Sequence, residues 1–264
     1  MGSASPQGDT LLDRRLSLPQ EWLTDEASAD RRRACGVPAA TVFPTKPMRG
    51  GAMLQAVSQA GTRRCRWVAC DDALGRETTL LDHVAGLGVW YDAEVPHDTR
   101  VWQARPATAI PLWAGRGRKP TRAQWVAGAA AAQSVADIAT AWSTSGGPQH
   151  LSKEGSTGPI VAECAVARVV AVREGLPGPE VWLILRRNGC TGALQTSLRH
   201  APAQTPLTPL VRMSGMRWPI DTCVEEGKQC LGLGDDAVRS WRGWHHHMPW
   251  CILEPFFLVR RRCR

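Results

Sequence analysis

A strand, helix, strand order between residues 65 and 96 places the strongest limit on how this chain can fold. Trp67, Val68 and Ala69 predict a short buried strand, which stops at Asp71 and Asp72 because aspartate favours turns. The segment "ETTLLDHVAGLG" then predicts a helix that ends at a glycine, and "VWYDAEVP" alternates as a strand does. This order predicts a mixed or parallel α/β sheet.

The chain divides into three parts by pattern. Residues 1–98 carry the α/β pattern, with "TKPMRGGAMLQAVSQAG" predicted as a helix capped by Gly61. Residues 99–190 break that pattern with a basic Pro/Gly loop, an alanine-rich helix, a Gly/Ser/Thr linker at 143–159 and two strand-like runs. Residues 191–264 turn helical again. The middle part is therefore predicted to be an insertion subdomain.

Composition favours a globular protein that has nucleic acid as a natural partner. The 264 residues are 43% hydrophobic, and no apolar run approaches the ~18 residues of a membrane span. The net charge of +8 comes mostly from arginine, which suits phosphate, although arginine-rich usage can also reflect the base composition of a genome. Nine cysteines without a CxxC pair indicate reduced thiols. We expect a soluble, cytoplasmic protein.

Asp71 is the first candidate site residue. It follows the predicted buried strand, and ligands gather at the carboxyl ends of strands in α/β folds. A carboxylate at that position is well placed to hold a divalent cation. An aspartate pair that only makes the turn after the strand explains the same residues. Both interpretations stay open on this segment alone.

The stretch "MRWPIDTCVEEGK", residues 216–228, holds the second candidate acid. If Pro219 is the first helical residue, Asp221 lies in the first turn, where the helix dipole stabilises an acid by roughly 0.3–1 kcal/mol. At about 100° per residue, Asp221, Glu225 and Lys228 share one narrow stripe. That stripe is either a solvated face with an ion pair, or a carboxylate and a lysine able to hold a metal and a phosphate together.

The spacing R-x3-[acid]-x6-K over Arg217, Asp221 and Lys228 resembles the C-terminal signature of bacterial insertion-sequence transposases with a DDE active site. This is the group marked by a Tyr-Arg-Glu-Lys motif. Other segments resemble that group and occur in its order, from about residue 11 onward: "RLSLPQEW", "RWVACDDALG", "WYDAEVPHDTRVW", "GRGRKPTR", "LPGPEVWLILRR", "EEGKQCLGL" and "AVRSWRGWHHH".

The resemblance implies a partial ribonuclease H-like α/β catalytic core interrupted by a mostly β insertion subdomain. Three carboxylates of such a core bind two Mg²⁺ ions, ~3.5–4 Å apart, for DNA cleavage and strand transfer. Asp71 matches the second acid, Asp221 stands in place of the final Glu, and Arg217 and Lys228 match the signature's Arg and Lys. The implied partners are double-stranded DNA at element ends and target, and a second copy of this chain or a full-length transposase. The implied location is the bacterial cytoplasm, in association with the nucleoid.

Three departures from the group predict an N-terminally truncated chain that is inactive by itself. Neither Asp9 nor Asp13 lies in the context of the group's first catalytic Asp. Asp221 is one methylene shorter than Glu, and Mg²⁺ demands near-ideal octahedral geometry. The signature Tyr is replaced by Ser214. The alternatives are a non-catalytic DNA-binding remnant, an inhibitor of a full-length transposase, or a decayed gene product, which the prolines of the last predicted helix favour.

Further basic residues are candidates for contact with DNA. Arg116 and Arg118 lie in "GRGRKPTR", which resembles a minor-groove hook, although a solvated basic loop explains it as well. Arg239 precedes two tryptophans that can stack on DNA or pack in a core. The consecutive histidines at 245–247 point about 100° apart on a helix, so we expect no shared metal ion there.

Overall fold

The computed structural model describes residues 1–5, 8–61, 65–126, 128–143, 149–155, 158–188, 191–213, 218–230, 232–234 and 238–262. Two compact units form, one from Cys65–Ser214 and the other from Met1–Arg64 together with Gly215–Arg264.

Helices and strands alternate along much of the chain, which confirms a mixed α/β protein. The helices are Gln20–Thr24 (α1), Ala29–Ala34 (α2), Lys46–Ala60 (α3), Asp72–Gly75 (α4), Thr78–Gly86 (α5), Val135–Ser143 (α6), Leu207–Met213 (α7), Trp218–Cys230 (α8) and Trp241–Arg262 (α9). The strands are Gly2–Ser5 (β1), Gly8–Leu11 (β2), Trp67–Cys70 (β3), Trp90–Glu94 (β4), Arg100–Trp102 (β5), Thr108–Ala109 (β6), Gln124–Trp125 (β7), Gln133–Ser134 (β8), Gln149–Gly155 (β9), Gly158–Arg173 (β10), Leu176–Asn188 (β11) and Leu194–His200 (β12).

A mixed sheet dominates the unit 65–214. Its order is β3-β4-β12-β11-β10-β5-β8, with β9 also paired to β10. Only β3 and β4 pair in parallel among the described strands, and the crossover between them contains α4 and α5. The predicted β-α-β unit is therefore confirmed, while the strands that extend the sheet from it are antiparallel.

Burial along β3 and β4 differs from the prediction. We expected Trp67–Ala69 to be buried, but Ala69 is exposed and only Cys70 of this strand is fully buried. The reason is that β3 pairs only with β4 among the described strands and therefore lies at the edge of the sheet. We expected β4 to alternate, but three consecutive residues, Tyr91, Asp92 and Ala93, are buried. Successive strand side chains point to opposite faces, so both faces of β4 are covered.

The strands β10 and β11 form a long antiparallel hairpin, which confirms the two predicted strand-like runs. Their turn consists of Glu174 and Gly175, both with positive φ (50° and 78°), as a type I′ turn requires. The stretch 143–159 was predicted as a linker, which is wrong at 149–155, where β9 pairs with β10. A Gly/Ser-rich segment can still add a strand because the ladder bonds come from backbone groups.

The core of this unit lies on the sheet. Apolar side chains of α5 and α7 are buried there with residues of the central strands. The most deeply buried include Leu81, Val84, Trp102, Val181, Leu183, Ile184 and Leu210. This core holds the end of β3 and β4 in place.

The unit of residues 1–64 and 215–264 has a β1–β2 hairpin against which α8 packs, and α9 packs on β2. The predicted helix at 46–60 is confirmed, with Thr45 as N-cap and Gly61 in the left-handed conformation at its end. The predicted C-terminal helix is also confirmed, because α9 stays helical through positions 249 and 255 despite a proline at each. Among the described residues, no helix is long and apolar enough to span a bilayer.

Candidate active site at the carboxyl edge of the sheet

Asp71 lies at the junction of β3 and α4, immediately after the strand ends. Its carboxylate Oδ1 accepts a hydrogen bond from the backbone N–H of Leu74 at 3.0 Å, so Asp71 is the N-cap of α4. The side chain is half-buried. The interpretation of Asp71 as a residue of the turn after the strand agrees with this geometry, although the N-cap role itself was not predicted, and it is compatible with a second role for the same carboxylate.

Gly75 fixes the short helix that Asp71 caps. A Cβ at Gly75 would lie 1.9 Å from the backbone oxygen of Glu94, far inside contact distance. The Gly75 N–H also donates to the backbone oxygen of Asp71 at 2.6 Å. Only glycine lets α4 lie directly on the end of β4, so Gly75 sets the position of Asp71. Gly75 was not predicted, although a glycine four residues after a strand-ending acid was the available signal.

The ends of β3 and β4 bring acidic residues to one edge of the sheet. Cys70 pairs with Ala93 in the parallel register, so Asp71 and Glu94 follow at the same level. A cleft of about 540 Å³ opens beside Glu94, and Asp72, His97, Asp98, Gln195 and Thr196 also line it, whereas Asp71 does not. Glu94 and Asp98 were not predicted, because their position depends on the strand pairing.

The donor chemistry at this edge suits a hard divalent cation, since Mg²⁺ prefers carboxylate oxygens. Within the described part of the chain, however, no group of three or more His, Cys, Asp or Glu side chains is arranged to hold a metal ion. The individual ligand type therefore fits Mg²⁺, while the described residues do not assemble a full ligand set.

A buried ion pair stabilises β4 behind the edge. Arg199 of β12 donates from Nε to Oδ1 of Asp92 at 2.7 Å, and the two residues are direct neighbours across the strands. The Arg199 side chain is 1% exposed. Such a pair is costly to break, because removing one partner leaves a buried charge. The sequence signal was an aspartate between Tyr91 and Ala93 inside the strand.

Asp221 and Lys228 belong to α8, in the other unit. The helix begins at Trp218, one residue before the predicted start, so Asp221 is in its first turn and Lys228 in its last. Asp221, Glu225 and Lys228 are all exposed, as expected for a solvated stripe. Glu225 accepts a hydrogen bond from Gln229 at 3.2 Å. Arg217 and Ser214 lie outside the described residues.

The three basic candidates lie in two exposed segments of the chain. Arg116 and Arg118 lie in the loop that joins β6 to β7, and both side chains are exposed. Arg239 is exposed just before α9. The neighbouring His245 contacts Trp241 with ring centroids 4.3 Å apart, and His247 contacts the backbone oxygen of Gly232 at 3.0 Å. The histidine run thus makes separate local contacts.

Comparison with known proteins identifies the family. A family model described as DDE superfamily endonuclease matches residues 1–152, which is more than half of the chain. The matched part contains Asp71, Gly75, Glu94, Arg116 and Arg118. A search of curated proteins found no match. Endonucleases of this superfamily are generally dependent on divalent metal ions and act on DNA. The chain therefore belongs to the DDE superfamily of endonucleases.

Proposed function

We propose that this chain is a transposase-type endonuclease of a bacterial insertion sequence, with a ribonuclease H-like core and a role in the cytoplasm at the nucleoid. The observation that carries the proposal is Asp71, a half-buried carboxylate at the carboxyl end of a parallel strand within the family match. Residues 1–98 and 191–264 contribute the core in this proposal, and residues 99–190 are the insertion subdomain. Duplex DNA at element ends and target is the substrate.

Each candidate residue has a role in this proposal. Asp71 and Asp221 offer carboxylate oxygens to Mg²⁺, and Arg217 and Lys228 hold the DNA phosphate. Bound Mg²⁺ supplies activation of a water or 3′-hydroxyl and stabilisation of the leaving oxygen. Arg239 adds a phosphate contact.

We further propose that these 264 residues alone do not cleave DNA. Asp71 and Asp221 are the two carboxylates that match the group's pattern, and Asp221 is one methylene shorter than the Glu of that pattern. In this proposal the Asp221 carboxylate stops ~1 Å short of the position that the longer Glu reaches, which Mg²⁺ does not tolerate because it demands near-ideal octahedral geometry.

A metal-binding assay tests the ligand role of Asp71, and a nicking assay tests the proposed inactivity of the chain. Mn²⁺ affinity, measured by calorimetry, is expected to fall about tenfold or more in Asp71→Asn, since loss of a charged ligand weakens a metal site while Asn still caps α4. Asp30→Asn, at an exposed position of α2, is the control and keeps the wild-type affinity. With Mg²⁺ and supercoiled plasmid, no nicking is expected.

Unchanged Mn²⁺ affinity in Asp71→Asn would contradict the ligand role. Metal-dependent nicking by the wild-type chain that disappears in Asp71→Asn would instead support the ligand role and overturn the proposed inactivity.

A second candidate function is a non-catalytic DNA-binding protein that occupies element ends or joins and inhibits a full-length transposase. One observation favours it: residues 99–136 contain six Arg or Lys and no Asp or Glu. Such a segment binds duplex DNA through phosphates without any catalytic acid. Salt-sensitive DNA binding together with suppression of a full-length transposase in a strand-transfer assay would support this function. A chain that neither folds nor binds DNA would indicate a decayed gene product.

A further inference from the structure

The loop that joins β6 and β7, residues 110–123, is an exposed basic feature of the unit 65–214. Thr108 pairs with Trp125 and Ala109 with Gln124, so the loop projects from a two-stranded ribbon. The base of the ribbon is anchored, because Trp125 packs edge-on against Trp102, whose side chain is 2% exposed. The loop therefore extends from a fixed base into solvent.

The charge of this loop has one sign. It carries Arg116, Arg118, Lys119 and Arg122, and all four side chains are exposed. The nearest acids along the chain are Asp98 and Asp137, well outside the loop. The local potential is positive, which complements a polyanion.

Apolar side chains stand beside these cations at the same loop. Leu112 is 97% exposed and Trp113 is 50% exposed. The indole Nε1 of Trp113 donates to the backbone oxygen of Gly117 at 3.2 Å, which ties it across the turn. Gly115 and Gly117 both have positive φ (79° and 74°), so the chain folds back tightly on either side of Arg116. Leu112 is left projecting beside a closed basic turn.

We propose that Leu112 is a wedge that enters the minor groove of duplex DNA and unstacks one base step. This inference rests on the proposed action on DNA and adds the mode of binding. Arg116 and Arg118, which follow Leu112 across the turn, enter the same groove, and Lys119 and Arg122 contact the phosphates. Apolar wedges flanked by arginine kink duplexes by roughly 20–90° toward the major groove. The free energy of unstacking is offset by burial of Leu112, which is fully hydrated in the free protein.

The same combination of cations and apolar side chains could also adsorb to an anionic lipid surface. Duplex DNA is favoured here because the loop belongs to the part of the chain that matches a DNA endonuclease family. The membrane alternative is an outcome of the test below.

The test measures DNA bending by energy transfer between dyes at the two ends of a 30-base-pair duplex with an A·T-rich centre. The full chain is used at low salt, as wild type and Leu112→Ala. Wild type is expected to shorten the end-to-end distance, and Leu112→Ala to lose most of this change while its affinity falls less than about tenfold, because phosphate contacts remain. Val42→Ala is the control, at another site where the side chain is 78% exposed, and is expected to bend DNA as wild type does.

The outcomes separate this inference from the proposed function. Bending by Leu112→Ala equal to that of wild type, or wild-type binding without bending, overturns the wedge and leaves DNA binding intact. No wild-type binding to any duplex overturns both. Binding to phosphatidylserine vesicles that is tighter than binding to DNA and is lost in Leu112→Ala overturns the wedge in favour of a membrane contact.

Discussion

Asp71 combines a structural and a chemical role in one side chain. Its Oδ1 caps α4 through the Leu74 N–H, and this bond fixes the rotation of the carboxylate relative to the strand end. A ligand held by a second interaction loses less conformational entropy when it binds a metal. The sequence left open whether Asp71 is a turn residue or a metal ligand. The local structure allows Asp71 to have both roles.

At the same scale, Gly75→Ala is predicted to destabilise the unit 65–214. The new methyl group would meet the backbone oxygen of Glu94, so α4 must move and carry Asp71 with it. Overpacking of this kind lowers the free energy of unfolding by about 1–3 kcal/mol. Urea denaturation followed by circular dichroism measures the change.

The control is Gly86→Ala in α5 of the same unit, where a Cβ would meet nothing within 4 Å. It is expected to be neutral or to stabilise by up to about 1 kcal/mol, because alanine has the higher helix propensity. Equal stability of Gly75→Ala and wild type would refute the close approach at Glu94.

At the scale of elements, a buried thiol in α8 makes the unit of residues 1–64 and 215–264 sensitive to alkaline pH. Cys223 is 5% exposed, and burial, followed by the charge and hydrogen bond of Asp9 and the charge of Glu226, raises the pKa of Cys223 from 9.0 to about 11. In the unfolded chain the thiol loses its proton near pH 9, while in the native protein it keeps the proton to about pH 11. The native state is therefore fully stabilised below pH 9, and its free energy of unfolding falls as pH rises toward 11.

Thermal unfolding between pH 8 and pH 11 checks this prediction. Cys223→Ala removes the titrating thiol and is expected to flatten the decline in melting temperature, whereas Cys35→Ala in the same unit keeps it. A Cys223→Ala protein with the wild-type pH dependence would contradict the assignment.

Elements that depend on local sequence were predictable, and their neighbours in space were not. The order from β3 to β4 followed from apolar runs and turn residues close together in the chain. The pairing of β4 with β12 joins Glu94 to Ser197, roughly a hundred residues apart, and no periodicity reports it. Glu94 and Arg199 were missed for that reason. The strand β9 was missed because its partner β10, not its own composition, makes it a strand.

At the scale of the whole molecule, the distribution of the +8 net charge matters more than its size. DNA binding is predicted to weaken at least about 100-fold between 50 and 200 mM NaCl, because the four cations of the loop at residues 110–123 together neutralise about four phosphates, which gives a log–log slope of about −3.6. Fluorescence anisotropy with a labelled duplex measures the slope.

The matched variant replaces Arg116, Arg118, Lys119 and Arg122 with glutamine, and its slope is expected to shrink by three to four, or about 0.9 for each lost contact. A variant that retains the wild-type slope would show that the contacts lie elsewhere, for example near Arg239.

The tight turn at Glu174 and Gly175 has a consequence for the order in which the protein folds. It joins β10 and β11 directly, so this hairpin closes a loop of two residues and forms early. The pairing of β12 with β4 must close a far longer loop, and it completes later. The end of β4 that carries Glu94 is thus expected to gain its neighbour β12 only after the β10–β11 hairpin has formed.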